Sequence, residues 1–183
     1  REKLMKKKLF VKGQVHGTYI ICEDETGMYI VDQHAGQERI NYEYFLEKYQ
    51  NLDLSMRDLL VPITLEYPLS EFLIIEERKD LLTKVGINLE VFGSGYVIKQ
   101  LPLWMQNIDE QVFIEDMMTQ LLNDNKIDVI KLQDHAIATL SCKASLKANT
   151  HLSTEGMQNI IDNLMRCDNP YVCPHGRPTI IYY

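Results

Sequence analysis

Three stretches of this sequence carry side chains able to do chemistry. In the first, Asp32, His34, Glu38 and Glu43 lie close together, one imidazole among carboxylates. If a helix begins near His34, then His34 and Glu38 stand at i and i+4 on one face and can share a metal ion. Glu43 falls about 140° further round such a helix, a poor position from which to reach the same ion. The same residues also read as a solvated helix start, where acidic side chains favour the dipole. The second stretch is Cys173-Pro174-His175-Gly176-Arg177-Pro178. A Cys-x-His pair brings a thiol and an imidazole together when the turn is right, and the two flanking prolines and the glycine stiffen the loop before any ion arrives. A turn holding a buried cysteine and a hydrogen-bonded histidine is the plainer account. The third stretch is Ser141-Cys142-Lys143, continuing to Lys147. Cys142 is either a ligand or a small helical core residue. Lys143 and Lys147, at i and i+4, give one helix side positive charge; with Arg39 and Arg177 they form an anion-binding patch or simply a solvated face. Cys22, Cys167, His16, His135 and His151 have no partner at ligand spacing and read as core or surface. There is no glycine-rich phosphate loop and no nucleophile elbow.

These residues need a scaffold, and the pattern predicts one. Phe10–Val15, Thr18–Cys22 and Met28–Val31 read as strands, the last two flanking a hairpin turn at Glu23–Gly27. The runs are apolar on both faces, which predicts a buried sheet. A helix over 35–49 follows. Leu59–Tyr67 reads as a strand in which Pro62 marks an edge or a bulge. The next helix has Ser70 as its expected N-cap, Leu69 stapled onto Ile74, and Gly86 as its stop. Two strands bracket Gly93-Ser94-Gly95. Asp109 caps a helix bearing Phe113, Ile114, Met117, Met118, Leu121 and Leu122. A helix over 130–148 presents Ala136, Leu140, Ala144 and Ala148 on one small face. Ser153 caps a last helix whose Met157, Ile160, Ile161 and Leu164 form an amphipathic stripe. After the turn Asp168-Asn169-Pro170, a strand ends the chain beyond Pro178. The expected fold class is α+β, with 58–130 inserted into a body formed by 1–57 and 131–183.

Composition narrows the partners. The chain has 183 residues and a formal net charge of −7, from 19 Lys+Arg against 26 Asp+Glu. That length buries a full core without a disulfide or metal staple. An acidic chain does not coat DNA or a membrane through bulk charge, so contact with DNA has to be local or assisted. No apolar run approaches the roughly 18 residues of a membrane span, and no signal-peptide core follows the basic N-terminus. The four cysteines are too sparse for a secreted disulfide scaffold. The expected location is the cytoplasm, where reduced thiols are free to bind metal.

Taken together, the motifs resemble those of a known family. Asp32-Gln33-His34-Ala35, two residues, Glu38, four residues, Glu43 fits the DQHA(X)2E(X)4E signature of the C-terminal endonuclease domain of the MutL mismatch-repair family. The Ser141-Cys142-Lys143 and Cys173-Pro174-His175-Gly176-Arg177-Pro178 segments look like two further motifs of that domain, in the right order. The resemblance covers essentially the whole chain and is strongest to the Gram-positive bacterial type. It implies a dimerisation subdomain carrying the site, an inserted external subdomain, and metal-dependent nicking of duplex DNA in the bacterial nucleoid. It implies that His34, Glu38, Cys142, Cys173 and His175 surround one or two divalent ions, with Asp32, His34 and Glu38 catalytic. Thiolate and imidazole suit Zn2+, whereas carboxylate suits Mn2+ or Mg2+. Lys143 and Arg177 are candidates to hold the phosphate, and Glu43 is a further acidic candidate. The implied partners are a second copy of the chain, double-stranded DNA, a mismatch-recognition protein reached through the full-length protein, and the replication sliding clamp. The family's clamp-binding segment corresponds to Arg57-Asp58-Leu59-Leu60-Val61-Pro62, where Arg57 replaces the usual Gln while Leu59, Leu60 and Pro62 keep the pattern. Gly36 stands where Ala is common. The family's ATPase portion is absent, so ATP would act only through that N-terminal domain. Two rival readings are an inert dimerisation module with a structural zinc site, and an unrelated zinc-dependent hydrolase of a small substrate.

Overall fold

A computed structural model describes residues 5–51, 55–105, 108–145 and 150–183. The order is β1 (Phe10–Val15), β2 (Tyr19–Glu23), β3 (Met28–Asp32), α1 (Gln33–Gln50), β4 (Met56–Glu66), α2 (Leu69–Val85), β5 (Glu90–Phe92), β6 (Gly95–Pro102), α3 (Glu110–Asn123), α4 (Val129–Ala144), α5 (Thr154–Arg166) and β7 (Ile180–Tyr182). Helices mix with two antiparallel sheets, an α+β fold. The chain divides into two compact units, Arg1–Glu47 with Leu140–Tyr183, and Lys48–Thr139. The borders lie inside α1 and α4, not at 57/58 and 130/131. Arg57 already belongs to the second unit: it pairs with Leu101 in the β4–β6 ladder, its guanidinium is bonded to Glu110, and it donates to the Met105 carbonyl at 2.8 Å. His135 on α4 likewise meets Asp116 on α3 at 2.7 Å.

In the first unit the sheet order is β1-β2-β3-β7. Alternation sends Ile20, Cys22, Tyr29 and Val31 inward onto Met157, Ile160, Ile161, Leu164 and Met165 of α5. Ser153 caps α5 as expected, accepting from the Gly156 amide at 3.1 Å. Gly36 keeps this packing close, since a Cβ there would lie 3.3 Å from Leu164 Cδ2. The outer face departs from expectation. The strands are apolar on both sides, yet Tyr19, Met28 and Ile181 on the outer side are exposed. Registers place Gly13, Ile21, Ile30 and Ile181 in one row across that face.

The β2–β3 turn is built on Asp24. Its Oδ1 accepts from the Thr26 and Gly27 amides at 2.8 and 3.1 Å, and its Oδ2 pairs with Lys7 at 2.5 Å. Desolvation pushes its pKa up, but the bonds from Lys7, Thr26 and Gly27 outweigh that and hold it well below the ordinary 3.8. A folded pKa below the unfolded one means that the unfolded state takes up the proton first. The stabilisation is therefore full above the unfolded pKa and fades as pH falls through the folded one. Asp24→Asn is expected to lower stability at pH 7, and the gap to the native chain is expected to shrink progressively below about pH 4. Urea unfolding at pH 7, 4, 3 and 2.5 measures this; a gap independent of pH would refute it.

In the second unit the sheet order is β4-β6-β5, with α2 and α3 in the same unit. β4 is an edge strand with a register break between Asp58 and Ile63, around Pro62, as the proline predicts. Asp109 caps α3 through the Val112 amide, and Gly86 ends α2 in the left-handed region, with φ 98°. Ser70, by contrast, is not the cap of α2. The helix starts earlier, with Pro68 at the cap position in extended geometry and the Phe72 amide bonded to its carbonyl. Leu69 is exposed, so no staple onto Ile74 forms. α4 ends at Ala144, which is exposed, so the small face stops at Leu140. Lys147 and Ala148 lie outside the described residues, as do 52–54 of the expected polar break.

Candidate metal centre

Three segments of the first unit converge on Glu38. α1 begins at Gln33, one residue before His34, because Asp32 at the end of β3 turns its Oδ1 back to accept from the Ala35 amide at 3.0 Å. That is N-cap geometry. It places His34 and Glu38 one turn apart, with His34 Nε2 3.1 Å from Glu38 Oε1. α4 supplies Cys142 in its last turn. The Cys173–Pro178 loop supplies the rest. The Cys173 amide donates to the Arg177 carbonyl at 2.8 Å and the Gly176 amide to the Cys173 carbonyl at 3.0 Å, closing a tight turn. Gly176 has φ 84°, a conformation glycine adopts at little cost. Val172 bridges to Pro178, and the Asp32 amide donates to the Thr179 carbonyl, fastening the loop's base to the end of β3.

Glu38 is 1% exposed and stands at the meeting point. Its Oε2 accepts from Arg177 at 2.8 Å and lies 3.4 Å from His175 Nδ1. Two groups of donor atoms, each mutually within 4.8 Å, share this carboxylate: His34, Glu38 and Cys142, and Glu38, Cys173 and His175. Burial pushes the Glu38 carboxyl up, but hydrogen bonds from Cys142 and Arg177, with the charges of His34 and Arg177, bring it below the ordinary glutamate value. It is thus an anion at neutral pH. Partial desolvation, then the bond to Glu38, push the Cys142 thiol up, opposed by Arg177 and Lys143.

This donor set fits a divalent ion: a buried anionic carboxylate, two thiols that can ionise, and two imidazoles. A closed, mostly S/N set favours Zn2+, and binding would take up the thiols as thiolates, releasing protons.

The other expected site residues lie elsewhere. Asp32 belongs to neither donor group; it caps α1. Glu43 accepts from the Asp168 and Asn169 amides at 2.8 and 3.1 Å. Lys143 and Arg177 are both exposed and both act electrostatically on Cys142, Arg177 being bonded to Glu38, whereas Arg39 Nε donates to the Val172 carbonyl at 2.6 Å. In β4, Leu59 is buried, and Leu60, Val61 and Pro62 stand exposed in the bulge. Arg57, half-buried, is held by Glu110. Two features escaped the sequence reading. Asn41 Nδ2 donates to Ser145 Oγ at 3.2 Å, tying α1 to the end of α4 beside Cys142. His135 and Asp116 pair across a long sequence gap that no spacing rule reaches.

Fold and donor cluster together define the class: a two-unit α+β domain with five potential metal donors brought together from two helices and a loop. The family model described as MutL C terminal dimerisation domain matches residues 12–152, and the chain belongs to that family. It is 48% identical over 172 residues to a DNA mismatch repair protein MutL of Bacillus licheniformis, covering 93% of this chain and 27% of that protein. It is 45% identical over 172 residues to the same-named protein of Bacillus pumilus, with the same 93% and 27% coverage. For that of Staphylococcus carnosus the figures are 45% over 174 residues, 94% and 27%. The chain spans about a quarter of the length of the curated relatives it matches.

Proposed function

We propose that this chain is the DNA-nicking endonuclease and homodimerisation part of a mismatch repair protein, incising the duplex to start strand removal. The observation that carries the reading is Glu38, the one buried carboxylate among the described residues, shared by two donor groups. His34, Glu38 and Cys142 would hold one ion, and Glu38, Cys173 and His175 a second or an alternative one. A divalent ion there supplies a water of lowered pKa and offsets charge on the phosphate. His175 and Arg177 are exposed, as is Lys143, so imidazole and cations are available to a phosphodiester at the rim. Asp32, hydrogen-bonded at the base of the same loop, is the remaining acidic residue for proton transfer or for orienting water.

The net charge of −7 makes the isolated domain a weak DNA binder, because counterion release needs clustered cations. Grip on DNA, ATP dependence and contact with a mismatch-recognition partner are assigned to regions of the full-length protein outside this chain, and its location to the cytoplasm. No described helix is long and apolar enough to cross a membrane. The proposed sliding-clamp contact is the Leu59, Leu60 and Pro62 segment, of which Leu60 and Pro62 are exposed and Leu59 is buried. The outer face of the first unit's sheet is the proposed pairing surface.

A second reading is favoured by the donor chemistry itself. Two thiols and two imidazoles against one carboxylate suit a structural Zn2+ better than Mn2+ or Mg2+, which would make the chain an inert dimerisation module. Plasmid nicking separates the two. In Mn2+ the native chain is expected to relax supercoiled plasmid, and Asp32→Asn to lose that activity. Asn caps a helix about as well as Asp, so this substitution tests chemistry with the fold intact. If activity is absent, tethering the chain to a DNA-binding module removes weak grip as the cause. Continued inactivity then leaves the structural-zinc reading.

A further inference from the structure

We infer that Glu43 is a positioning residue: with Arg39 one turn before it, it clamps the backbone of the segment leading into Cys173 onto the helix that carries His34 and Glu38. The inference rests on the metal-centre reading above. Its basis is the division of labour along α1. His34 and Glu38 face the donor cluster. Arg39 and Glu43 lie at i and i+4 on another side and both grip main chain. Arg39 donates to the Val172 carbonyl at 2.6 Å, and the two oxygens of Glu43 accept one amide each, from Asp168 and Asn169.

The chemistry suits the task. Segment 167–172 carries no regular element, and its amides need partners where they leave solvent. A carboxylate receiving two N–H groups is a strong, two-point acceptor. Its hold starts five residues before Cys173 and ends at the residue next to it, where Arg39 takes the Val172 carbonyl. Beside the loop's tie to the end of β3 and the Arg177–Glu38 bond, these contacts fix the approach of Cys173 and His175 to Glu38 from the same helix that carries Glu38. Cys142 reaches Glu38 from α4, secured instead by Asn41. Glu43 should thus govern one half of the donor set and not the other. Gln at 43 would keep one acceptor oxygen and turn an N–H2 toward an N–H, so it too breaks the two-point hold.

Co2+ titration of the full 183-residue chain, read by thiolate-to-cobalt absorption, tests this. Glu43→Ala and Glu43→Gln are each expected to weaken Co2+ binding by about tenfold or more, the usual scale for residues that orient a ligand. In a Cys173→Ser background, where only His175 of that half remains, the Glu43 effect is expected to shrink, and in a Cys142→Ser background to persist in full. Circular dichroism of both Glu43 variants identifies any that fails to fold, and the folded one is used. Unchanged Co2+ affinity in a folded Glu43 variant overturns the inference, as does a loss of equal size in both cysteine backgrounds, which marks a general structural role. Failure of the native chain to bind Co2+ overturns the metal-centre reading itself, and the clamp with it.

Discussion

Glu38→Gln is expected to remove metal-dependent nicking and to lower metal affinity by more than a hundredfold. Residues that only orient ligands cost about 10–100-fold when lost, and Glu38 is itself a donor common to both groups. Cys142→Ser or Cys173→Ser removes a donor from one group alone, so each is expected to cost less than Glu38→Gln. The order of the three effects tests the shared-carboxylate arrangement independently of their absolute size. Loss of fold is not the cause to expect. The amide has the same shape and removes a buried charge, and the partner left behind, Arg177, is half exposed and can return to water. Metal content after dialysis and Mn2+-dependent nicking are the measurements. A Glu38→Gln protein that keeps native metal content would place the site elsewhere.

Features that end in a local chemical signal were legible from the residues. Ser153 and Asp109 cap the helices they should, Gly86 stops α2, and Pro62 sits where β4 breaks register, because each acts within a few residues of itself. The pairing of His34 with Glu38 is of the same kind, needing only the helix that Asp32 starts. The misses share a different cause. Ser70 loses the cap position because Pro68 and the exit from β4 start the helix sooner. From spacing, Glu43 reads only as a ligand or a surface carboxylate, because its partners, the amides of Asp168 and Asn169, are distant in sequence and carry no side-chain signature. Arg39 and Arg177 have acceptors of the same kind, the Val172 carbonyl and Glu38, which no local spacing announces. Convergence of Cys142, Cys173 and His175 on Glu38 is likewise tertiary: spacing alone leaves it open, and only the family motifs bring those residues together. The sheet is the remaining case. Its two-sided apolar pattern predicts a buried sheet, whereas the fold covers one face with α5 and leaves Val15, Tyr19, Met28 and Ile181 of the other exposed.

That bare face yields the other large expected effect: Ile30→Lys is expected to convert the dimer to monomers, raising the dissociation constant by at least about a thousandfold. Ile30 lies on β3, an interior strand, in the row running from Gly13 through Ile21 to Ile181. Val15, Tyr19 and Met28 flank that row and are exposed in the single chain. A contiguous apolar sheet face of this kind is unusual on a monomer, and the matched family is described by its dimerisation. A two-fold interface uses the same patch twice, so one substitution acts twice. Losing the burial of an isoleucine costs about 1.5–3 kcal/mol; two copies give roughly 3–6 kcal/mol before the cost of desolvating two lysines, and about 4 kcal/mol is a thousandfold in affinity. The monomer itself is expected to keep its fold, because Ile30, half-buried, is not among the residues packed on α5, and the long lysine stem can carry its ammonium out to water. Phe92→Lys, on the exposed β5 edge of the second unit, serves as the control and is expected to leave the mass unchanged. Sedimentation equilibrium across a concentration series reads both variants. A dimer that survives Ile30→Lys but dissociates with Phe92→Lys would move the pairing surface from the first unit to the second.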